Sequence, residues 1–506
     1  MSTATAALEL PRRRAASVLL DRINLKLLVL AGVLLALPAT FISANRDPDF
    51  WWHLRDGQWI VAHLAVPAGD IYTYTVAGRP WIDHEYLGEA LMWLGYQAGG
   101  TLLLGLAFGA VTWFGFVLLF RAGGGRSQPY LIAGAGLALG ALVGLPIWSA
   151  RLQMVTFFFA CLELLWLRSF LAGRSRWIYA LPLVMVVWAN LHGGWAVAFV
   201  FLGAVLAAEA AGWALKPADP AHRRRLLVLA LVTVGSLLAV GATPNGVSLY
   251  AYPLQTIASS AQQNSIIEWL SPNFHDPRMR AFELMVMLLV AGFALRRPSL
   301  PDLLLSLAAL ALALQATRNL VLFVAVCTPI LVITWSEIWR RERPGLRWRL
   351  PEVPRSAFVS TMVVFALVGT AGGAAQHVAD GLRQQPALTA FDFPVDASNW
   401  IAAHPDEVGT RMFNQYAWGG YLAYRFYPRP DRRVFIFGEA ELMGDPLLYD
   451  YQRVQDITPQ WQAVLHRHRV DTVLFNAGTP LDVLLGSRSD WRQVYRDPVA
   501  VIYVKK

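Results

Sequence analysis

Charged residues are scarce in this sequence: they make up 15% of its 506 residues, whereas 56% are hydrophobic. Soluble globular domains usually contain about a quarter charged residues. The shortage therefore excludes an ordinary soluble protein and predicts a chain that crosses a membrane several times.

Cysteine is also nearly absent. Cys161 and Cys327 both fall within apolar runs, where a thiol behaves as a small hydrophobic group. Two such cysteines form neither a disulfide framework nor a cysteine-rich zinc site.

Lysine and arginine are missing from residues 245–277, although the net charge is +9. From residue 385 onward there are 13 Lys/Arg and 14 Asp/Glu, so the basic excess lies in the apolar part of the chain. Short basic loops mark the cytoplasmic side of a membrane, and Arg12–Arg14 and Arg223–Arg225 are examples. The pattern places residues 1–23 in the cytoplasm and loop 245–277 outside. It requires no nucleic-acid partner.

Long apolar runs fill most of the first 375 residues. A spanning helix needs about 20 mostly apolar residues. Eleven spans are predicted, at about 24–44, 101–121, 128–148, 153–171, 177–190, 193–214, 226–243, 280–296, 300–316, 318–336 and 357–375. Residues 86–98 are shorter and include Glu89, which predicts an interfacial helix.

The composition changes after the last span. Residues 376–390 are predicted as a linker, and residues 391–506 as a compact α/β domain outside the cytoplasm. Its β-rich runs are 411–414, 433–438, 471–476 and 500–505, alternating with helical stretches near 396–403, 418–426 and 446–469. The predicted fold class is therefore a polytopic α-helical membrane protein, spanning 24–375, with a small C-terminal α/β domain.

Residues 45–85 are the most polar stretch next to a predicted span, with five Asp, one Glu, three His and four Trp. Charges cost several kcal/mol to hold in hydrocarbon, so acids crowded at the end of a spanning helix usually line a site. The simpler interpretation is a hydrated loop with an aromatic belt. We predict that the first outer loop, 45–100, is catalytic.

Further polar residues lie at the same predicted outer face: Arg151, Asn190, His192, Glu268 and Arg318. Group transfer at a membrane surface needs a carboxylate base and cations for a phosphate leaving group. Asp47 and Asp49 are the candidate bases. Arg151 and Arg318 are candidate phosphate ligands, because guanidinium binds phosphate bidentately and keeps its charge. The alternative for each arginine is a lipid headgroup or an acid such as Glu268.

Two pairs of residues are candidates for substrate contacts. Asn190 and His192, in the run WANLHGG, lie at a turn between predicted spans, and His192 is a further phosphate candidate or a hydrogen-bonded structural residue. Glu268 and Trp269 lie in loop 245–277, whose aromatic residues either stack on a sugar or anchor in the interface.

The run Asp49-Phe-Trp-Trp-His-Leu-Arg55 resembles the first-loop motif of the GT-C superfamily of polyprenyl-phosphate-dependent glycosyltransferases, above all that of the oligosaccharyltransferase catalytic subunit. The resemblance implies that Asp49 is the catalytic acid, with Asp47 as its neighbour. The run Asp83-His84-Glu85 is similar to the motif before the second span of protein O-mannosyltransferase-like members. It adds Glu85 to the catalytic candidates, and His53 and His84 to the substrate-binding ones.

The layout also resembles a group of bacterial multi-pass membrane proteins, which implies the bacterial inner membrane. Two departures matter. The turn PIWSARLQM lacks the second acidic motif that completes the metal site of oligosaccharyltransferases, so a divalent metal is possible but not indicated. Residues 416–421, YAWGGY, are only slightly similar to the acceptor motif and lack its acid, so transfer to the Asn of a sequon is not supported.

The predicted function is an integral membrane glycosyltransferase that moves a sugar from a polyprenyl-phosphate donor to a glycan, lipid or protein acceptor on the outer face, with Asp49 as the general base. Two alternatives stay open at this point. One is a lipid-modifying phosphoryl or acyl transferase, and the other is a non-catalytic scaffold whose outer domain binds a partner. A scaffold has no need of the outer-face acids and arginines.

Overall fold

The computed structural model describes residues 47–342 and 357–506. The predicted segment 1–23 and the first predicted span, 24–44, lie outside the described residues. Helices dominate up to residue 392. They are α1 Phe50–His63, α2 Tyr86–Ala122, α3 Tyr130–Val143, α4 Gln153–Leu171, α5 Leu181–Leu191, α6 Val197–Leu215, α7 Pro220–Val240, α8 Ala251–Ala258, α9 Ser260–Ser265, α10 Arg280–Leu295, α11 Leu300–Gln315, α12 Leu320–Glu342 and α13 Ala357–Asp392.

Within the described residues, four helical segments are long and apolar enough to cross a membrane: α2, α4, Gly193–Leu215 and Thr317–Glu342. They coincide with predicted spans at 101–121, 153–171, 193–214 and 318–336. The last of the four lies at the centre of the bundle, because 78% of its apolar window is buried, against 44–50% for the others. The protein is therefore a membrane protein, and the total of eleven spans stays a prediction.

The predicted interfacial helix 86–98 and the span after it are joined in α2, with a break between them. Gly99 and Gly100 leave the helical conformation, and Gly100 has φ +61° and ψ −153°, a region that glycine enters at little cost. The first part of α2 packs closely on α1: a Cβ at Gly57 would lie 2.0 Å from the Glu89 carbonyl oxygen. The break thus allows the first part of α2, which contains Glu89, to pack against α1.

Residues 376–390, predicted as a linker, lie within helix α13. The domain beyond it contains the helices α14 Val395–Ala403, α15 Gly419–Phe426, α16 Ala440–Gln455, α17 Trp461–Arg467 and α18 Pro480–Gly486. Its sheet has the order β1-β2-β4-β3, formed by β1 Met412–Asn414, β2 Thr472–Asn476, β3 Trp491–Arg496 and β4 Ala500–Lys505. β1 pairs with β2 in parallel, and the other pairs are antiparallel. The predicted α/β pattern is present.

Two strand predictions differ from the structure. Strand β3 was not predicted, since it lies at the sheet edge and buries only Trp491 fully. The run 433–438 was predicted as a strand because it is apolar, and Val434–Phe437 are indeed fully buried. Its main chain instead bonds elsewhere: Phe435 N donates to Asn414 Oδ1 at 2.8 Å and Val434 N to the Tyr72 carbonyl at 3.1 Å. This segment therefore joins the C-terminal domain to the first outer loop.

Candidate functional site

The carboxylate of Asp49 is oriented by residues next to it in the sequence. Asp49 directly precedes α1, where the helix dipole favours a negative charge. Its Oδ1 accepts a hydrogen bond from Trp52 Nε1 at 3.1 Å, and its main-chain N donates to Asp47 Oδ1 at 3.0 Å. The motif thus builds a fixed pair of acids at the start of α1.

Arg151, in the turn before α4, bridges three acids. Its Nε lies 2.5 Å from Asp47 Oδ2, its Nη2 lies 2.6 Å from Asp49 Oδ2, and its Nη1 contacts Glu268 Oε1. One guanidinium therefore serves three carboxylates contributed by two loops. The contact with Glu268 is the pairing that was considered as the alternative to phosphate binding.

Burial and charge act in opposite directions in this group. Burial raises the pKa of Asp47 to about 7, although Arg151 opposes the shift. For Glu268, burial would raise the pKa, but Arg151 and Arg318 hold it below its usual value. Asp47 thus changes protonation near neutral pH, whereas Glu268 stays ionised there.

Arg318 has different surroundings. It lies in the 3₁₀ turn Thr317–Asn319, before α12, and its guanidinium carbon lies 4.5 Å from the centroid of the Trp269 ring. Among the described residues, no carboxylate lies within salt-bridge distance of Arg318. The charge of Arg318 is therefore available to a ligand.

Glu85 lies among three imidazoles. Its Oε1 is 3.2 Å from His84 Nε2 and 3.3 Å from His192 Nε2, and its Oε2 is 3.5 Å from His53 Nε2. Burial alone would raise the pKa of Glu85, but the three histidines hold it well below its usual range. Glu85 is therefore ionised and a poor proton acceptor.

The histidines respond to the same surroundings differently. Burial lowers the pKa of His192 to about 4 despite Glu85. Burial also lowers the pKa of His53. For His84 burial acts the same way, but the hydrogen bond to Glu85 and the charges of Glu85, Glu441 and Asp83 together raise the pKa. His84 is thus the best candidate of the three for a positive charge.

The turn between α5 and α6 fixes the tautomer of His192. Its Nδ1 accepts a hydrogen bond from Gly194 N at 2.8 Å, so the neutral ring carries its proton on Nε2, which faces Glu85. The turn also requires glycine, since a Cβ at Gly193 would lie 2.3 Å from His84 Cδ2 and 2.5 Å from Tyr252 Cε1. The run NLHGG therefore allows three segments of chain to approach closely.

A cavity of about 780 Å³ brings these groups together. Its lining includes the predicted site residues Asp49, His53, His84, Glu85, Arg151, His192, Glu268, Trp269 and Arg318. Asp47 contacts Arg151 beside them. Asn190 is absent from this lining: its amide donates to the carbonyls of Val186 at 2.7 Å and Ala242 at 3.0 Å, and its Oδ1 accepts from Tyr86. Asn190 thus links helices instead of facing the cavity.

The C-terminal domain contributes cavity residues that the sequence analysis missed: Tyr416, Gly438, Glu439, Glu441 and Tyr451. Glycines allow the approach, since a Cβ at Gly438 would lie 2.0 Å from Asp49 Oδ1 and one at Gly420 would lie 2.9 Å from the Pro48 carbonyl oxygen. The glycines in the runs YAWGGY and FIFGEAE were the sequence feature that could have indicated this close approach. The domain therefore closes directly over the catalytic candidate.

Arg151 lies between Asp47 and Asp49 and pairs with both. Metal ions bind carboxylate oxygens at about 2.0–2.6 Å, and Arg151 already contacts one oxygen of each acid at 2.5 and 2.6 Å. The turn PIWSARLQM, which lacks the second acidic motif, thus supplies the permanent positive charge of Arg151 to these acids. Elsewhere, His53, Glu85 and Glu89 place ligand atoms within 4.8 Å of one another, and these residues could hold a metal ion.

Comparison with solved structures identifies the fold. The chain is similar to the arabinofuranosyltransferase AftD from Mycobacteria, with a TM-score of 0.51, 14% identity and coverage of 94% of this chain and 39% of that one. It is also similar to ArnT from Cupriavidus metallidurans bound to undecaprenyl phosphate, with a TM-score of 0.46, 16% identity and coverage of 94% and 97%. A third similar structure is the oligosaccharyltransferase AglB from Archaeoglobus fulgidus, in complex with an inhibitory peptide and a dolichol-phosphate, with a TM-score of 0.44, 11% identity and coverage of 95% and 74%.

No protein-family model and no curated protein matches the sequence. The likeness to AftD extends over nearly the whole of this chain at low identity, so it concerns the fold. The chain therefore has a fold like that of the arabinofuranosyltransferase AftD.

Proposed function

We propose that this protein is a membrane glycosyltransferase that moves a sugar from a polyprenyl-phosphate carrier to an acceptor hydroxyl on the outer face of the bacterial inner membrane. The observation that carries the proposal is the single cavity in which acids, arginines and histidines from separate turns face one another. The fold shared with AftD, an arabinofuranosyltransferase, supports the same class of reaction.

In this proposal, Asp49 is the general base. Its carboxylate takes the proton of the acceptor hydroxyl, whose oxygen then forms a bond to the anomeric carbon of the sugar. The bond from that carbon to the phosphate oxygen breaks, and the electron pair leaves with the polyprenyl phosphate. Trp52 and Arg151 fix the direction of the Asp49 carboxylate, and a base held in one geometry accelerates proton transfer.

The different surroundings of the two arginines support a different role for each. Three carboxylates surround Arg151, so we assign it to holding the acids in place. Arg318 stacks on Trp269 and is the better ligand for the departing phosphate, because a guanidinium binds phosphate oxygens bidentately. His192 is beside it with a proton on Nε2 and is the second phosphate candidate.

Glu85 is a weaker candidate for the base than Asp49. A carboxylate with a strongly lowered pKa has little tendency to accept a proton, and Glu85 is in this position. We assign it to orienting His53, His84 and His192. The charged cavity also argues against a scaffold, because buried charges without a ligand are costly to maintain.

The test uses right-side-out membrane vesicles supplied with a labelled polyprenyl-phosphate sugar. Asp49→Asn removes the base with almost no change in volume, so transfer should fall at least about 100-fold, the usual contribution of a general base. The matched control is Asp406→Asn, an exposed Asp of the C-terminal domain, which should transfer at the wild-type rate. Wild-type transfer by the Asp49 variant would refute the assignment of the base. Transfer of phosphate or an acyl group in place of the sugar would refute the reaction class.

A further inference from the structure

A second cavity of about 510 Å³ lies beside the first. The two share Tyr252, Gln262, Glu439 and Glu441. Glu439 lines both cavities and follows Gly438, where a Cβ would lie 2.0 Å from Asp49 Oδ1, so a wall of the second cavity adjoins the segment that approaches the proposed base.

The second cavity differs from the first in its charge. Arg151, Arg318 and His192 line the first cavity only. The second is lined by three acids, Glu439, Glu441 and Asp445, with Arg79 as the basic residue. The Arg79 guanidinium donates to the carbonyls of Leu442 at 3.1 Å and Met443 at 2.6 Å. A phosphate would be repelled here, so this cavity is unsuited to the donor headgroup.

Among the described residues, one buried polar atom of Glu439 and one of Trp81 in the second cavity have no hydrogen-bond partner. Glu439 is 4% exposed and Trp81 is 6% exposed. Within the described part of the chain, neither Glu439 Oε1 nor Trp81 Nε1 makes a hydrogen bond. Buried polar atoms are nearly always hydrogen-bonded, so these two atoms point to a ligand that supplies the missing partners.

The other two acids are already engaged by loop residues. Glu441 Oε1 accepts from Thr256 Oγ1 at 2.6 Å, and Asp445 accepts from Ser259 Oγ and from Ala261 N at 3.3 Å. They join the C-terminal domain to α8 and α9 and form the wall of the cavity. Glu439 is therefore the acid best placed to meet a ligand.

The chemistry of Glu439 favours a hydroxyl over a cation. Burial and then the nearby Glu441 and Glu85 raise the pKa of Glu439 well above its usual range. A protonated carboxyl group both donates and accepts, as an alcohol does, whereas a cation needs an ionised carboxylate. Tyr252 and Trp81 add aromatic faces on which the C–H groups of a sugar ring can pack.

We propose that the second cavity is the acceptor subsite, that it takes a neutral, hydroxyl-rich sugar, and that Glu439 binds one of its hydroxyl groups. The role of this sugar as the acceptor rests on the proposed glycosyl transfer. The binding of a neutral sugar at this place does not depend on it. The C-terminal domain then has a defined role, because it supplies the residue that holds the acceptor beside Asp49.

The experiment measures binding first, without any transfer. Purified protein is titrated with methyl glycosides of neutral, acidic and amino sugars, and binding is followed by saturation-transfer NMR. We expect neutral sugars to bind. Glu439→Leu should weaken that binding about tenfold, the size of one lost hydrogen bond, while Glu439→Gln, which keeps a donor and an acceptor, should stay within about threefold of wild type. Glu407→Gln, at an exposed position of the same domain, is the control.

Binding of the amino sugar alone, or equal losses in the Gln and Leu variants, would overturn the inference, since both results indicate an ionised carboxylate. Absence of sugar binding to the wild type would also overturn it. In the transfer assay, Glu439→Leu should raise the acceptor KM about tenfold and leave donor affinity unchanged. An unchanged acceptor KM with transfer intact would refute the subsite alone, whereas sugar binding without any transfer would refute the proposed reaction alone.

Discussion

Arg151 and Arg318 occupy similar positions in the sequence, but their surroundings in the structure are very different. Each arginine lies at the start of an apolar helix, and each contacts one of two consecutive loop residues, Glu268 or Trp269. Arg151 is enclosed by three carboxylates, whereas Arg318 faces an aromatic ring. Two arginines at similar positions in the chain thus differ in how much of their charge carboxylates already neutralise, and the less neutralised one, Arg318, is the proposed phosphate ligand.

The largest effect, on both transfer and stability, should come from removing the positive charge of Arg151. Arg151→Met leaves three acids close together without their partner, so transfer should fall more than about 100-fold and unfolding should become easier by about 3 kcal/mol, as for other broken buried ion pairs. Arg151→Lys keeps the charge and should retain part of the stability. Thermal unfolding measures the loss of stability, and the transfer assay measures the loss of activity. Donor affinity should change little in either Arg151 variant. A large loss of donor affinity in Arg151→Lys would instead place the phosphate at Arg151.

A smaller effect, on donor affinity, should come from changing Arg318. Arg318→Lys keeps a cation but loses the planar fork, so donor affinity should fall about tenfold, or roughly 1–2 kcal/mol, with thermal stability unchanged. Titration of the purified variant with polyprenyl phosphate measures this. If Arg318 only anchors in lipid headgroups, lysine should serve equally well, and an unchanged affinity would contradict the assignment of the phosphate.

The smallest effect is a pH dependence of transfer that comes from the acids around Arg151. Because burial raises the pKa of Asp47 to about 7, its charge appears as the pH rises through 7, and the charged form strengthens the ion pair with Arg151, which also holds the Asp49 carboxylate. Transfer should therefore increase about fivefold between pH 6 and 8 in the wild type, as expected for one nearby charge. Asp47→Asn, which stays neutral, should lack the increase, while Arg318→Lys should keep it. The same rise in Asp47→Asn would show that another group titrates.

Much of the site loop followed from the sequence. Asp49, Trp52 and His53 lie within one short motif, and local hydrogen bonds orient the acid, so the residues and their geometry are close in the chain. The convergence of Arg151, His192, Glu268 and Arg318 was also predictable, because helices of similar length place every second turn at the same face. Asn190 shows the limit of this reasoning: it lies in such a turn but bonds to the backbone of neighbouring helices.

The C-terminal domain was predicted less well. The run 433–438 has the composition of a strand, yet its hydrogen-bond partners are the Asn414 side chain and residues of the first outer loop. Glu439 follows this run and was not expected near Asp49, which lies some four hundred positions earlier. Nothing in the local pattern of either segment specifies that contact.

The sequence by itself determined the apolar helices, because charged groups are costly in hydrocarbon. It also determined the break in α2, because Gly99 and Gly100 leave the helical conformation at little cost. It further determined the local contacts of Asp49 with Trp52 and Asp47, whereas the contact of Asp49 with Arg151 depends on the fold. Only the tertiary structure decided which arginine is neutralised, which histidines surround Glu85 and which acid closes the second cavity. Those choices depend on segments far apart in the chain that approach through glycines, and the strength of an ion pair depends on distances that only the folded chain fixes.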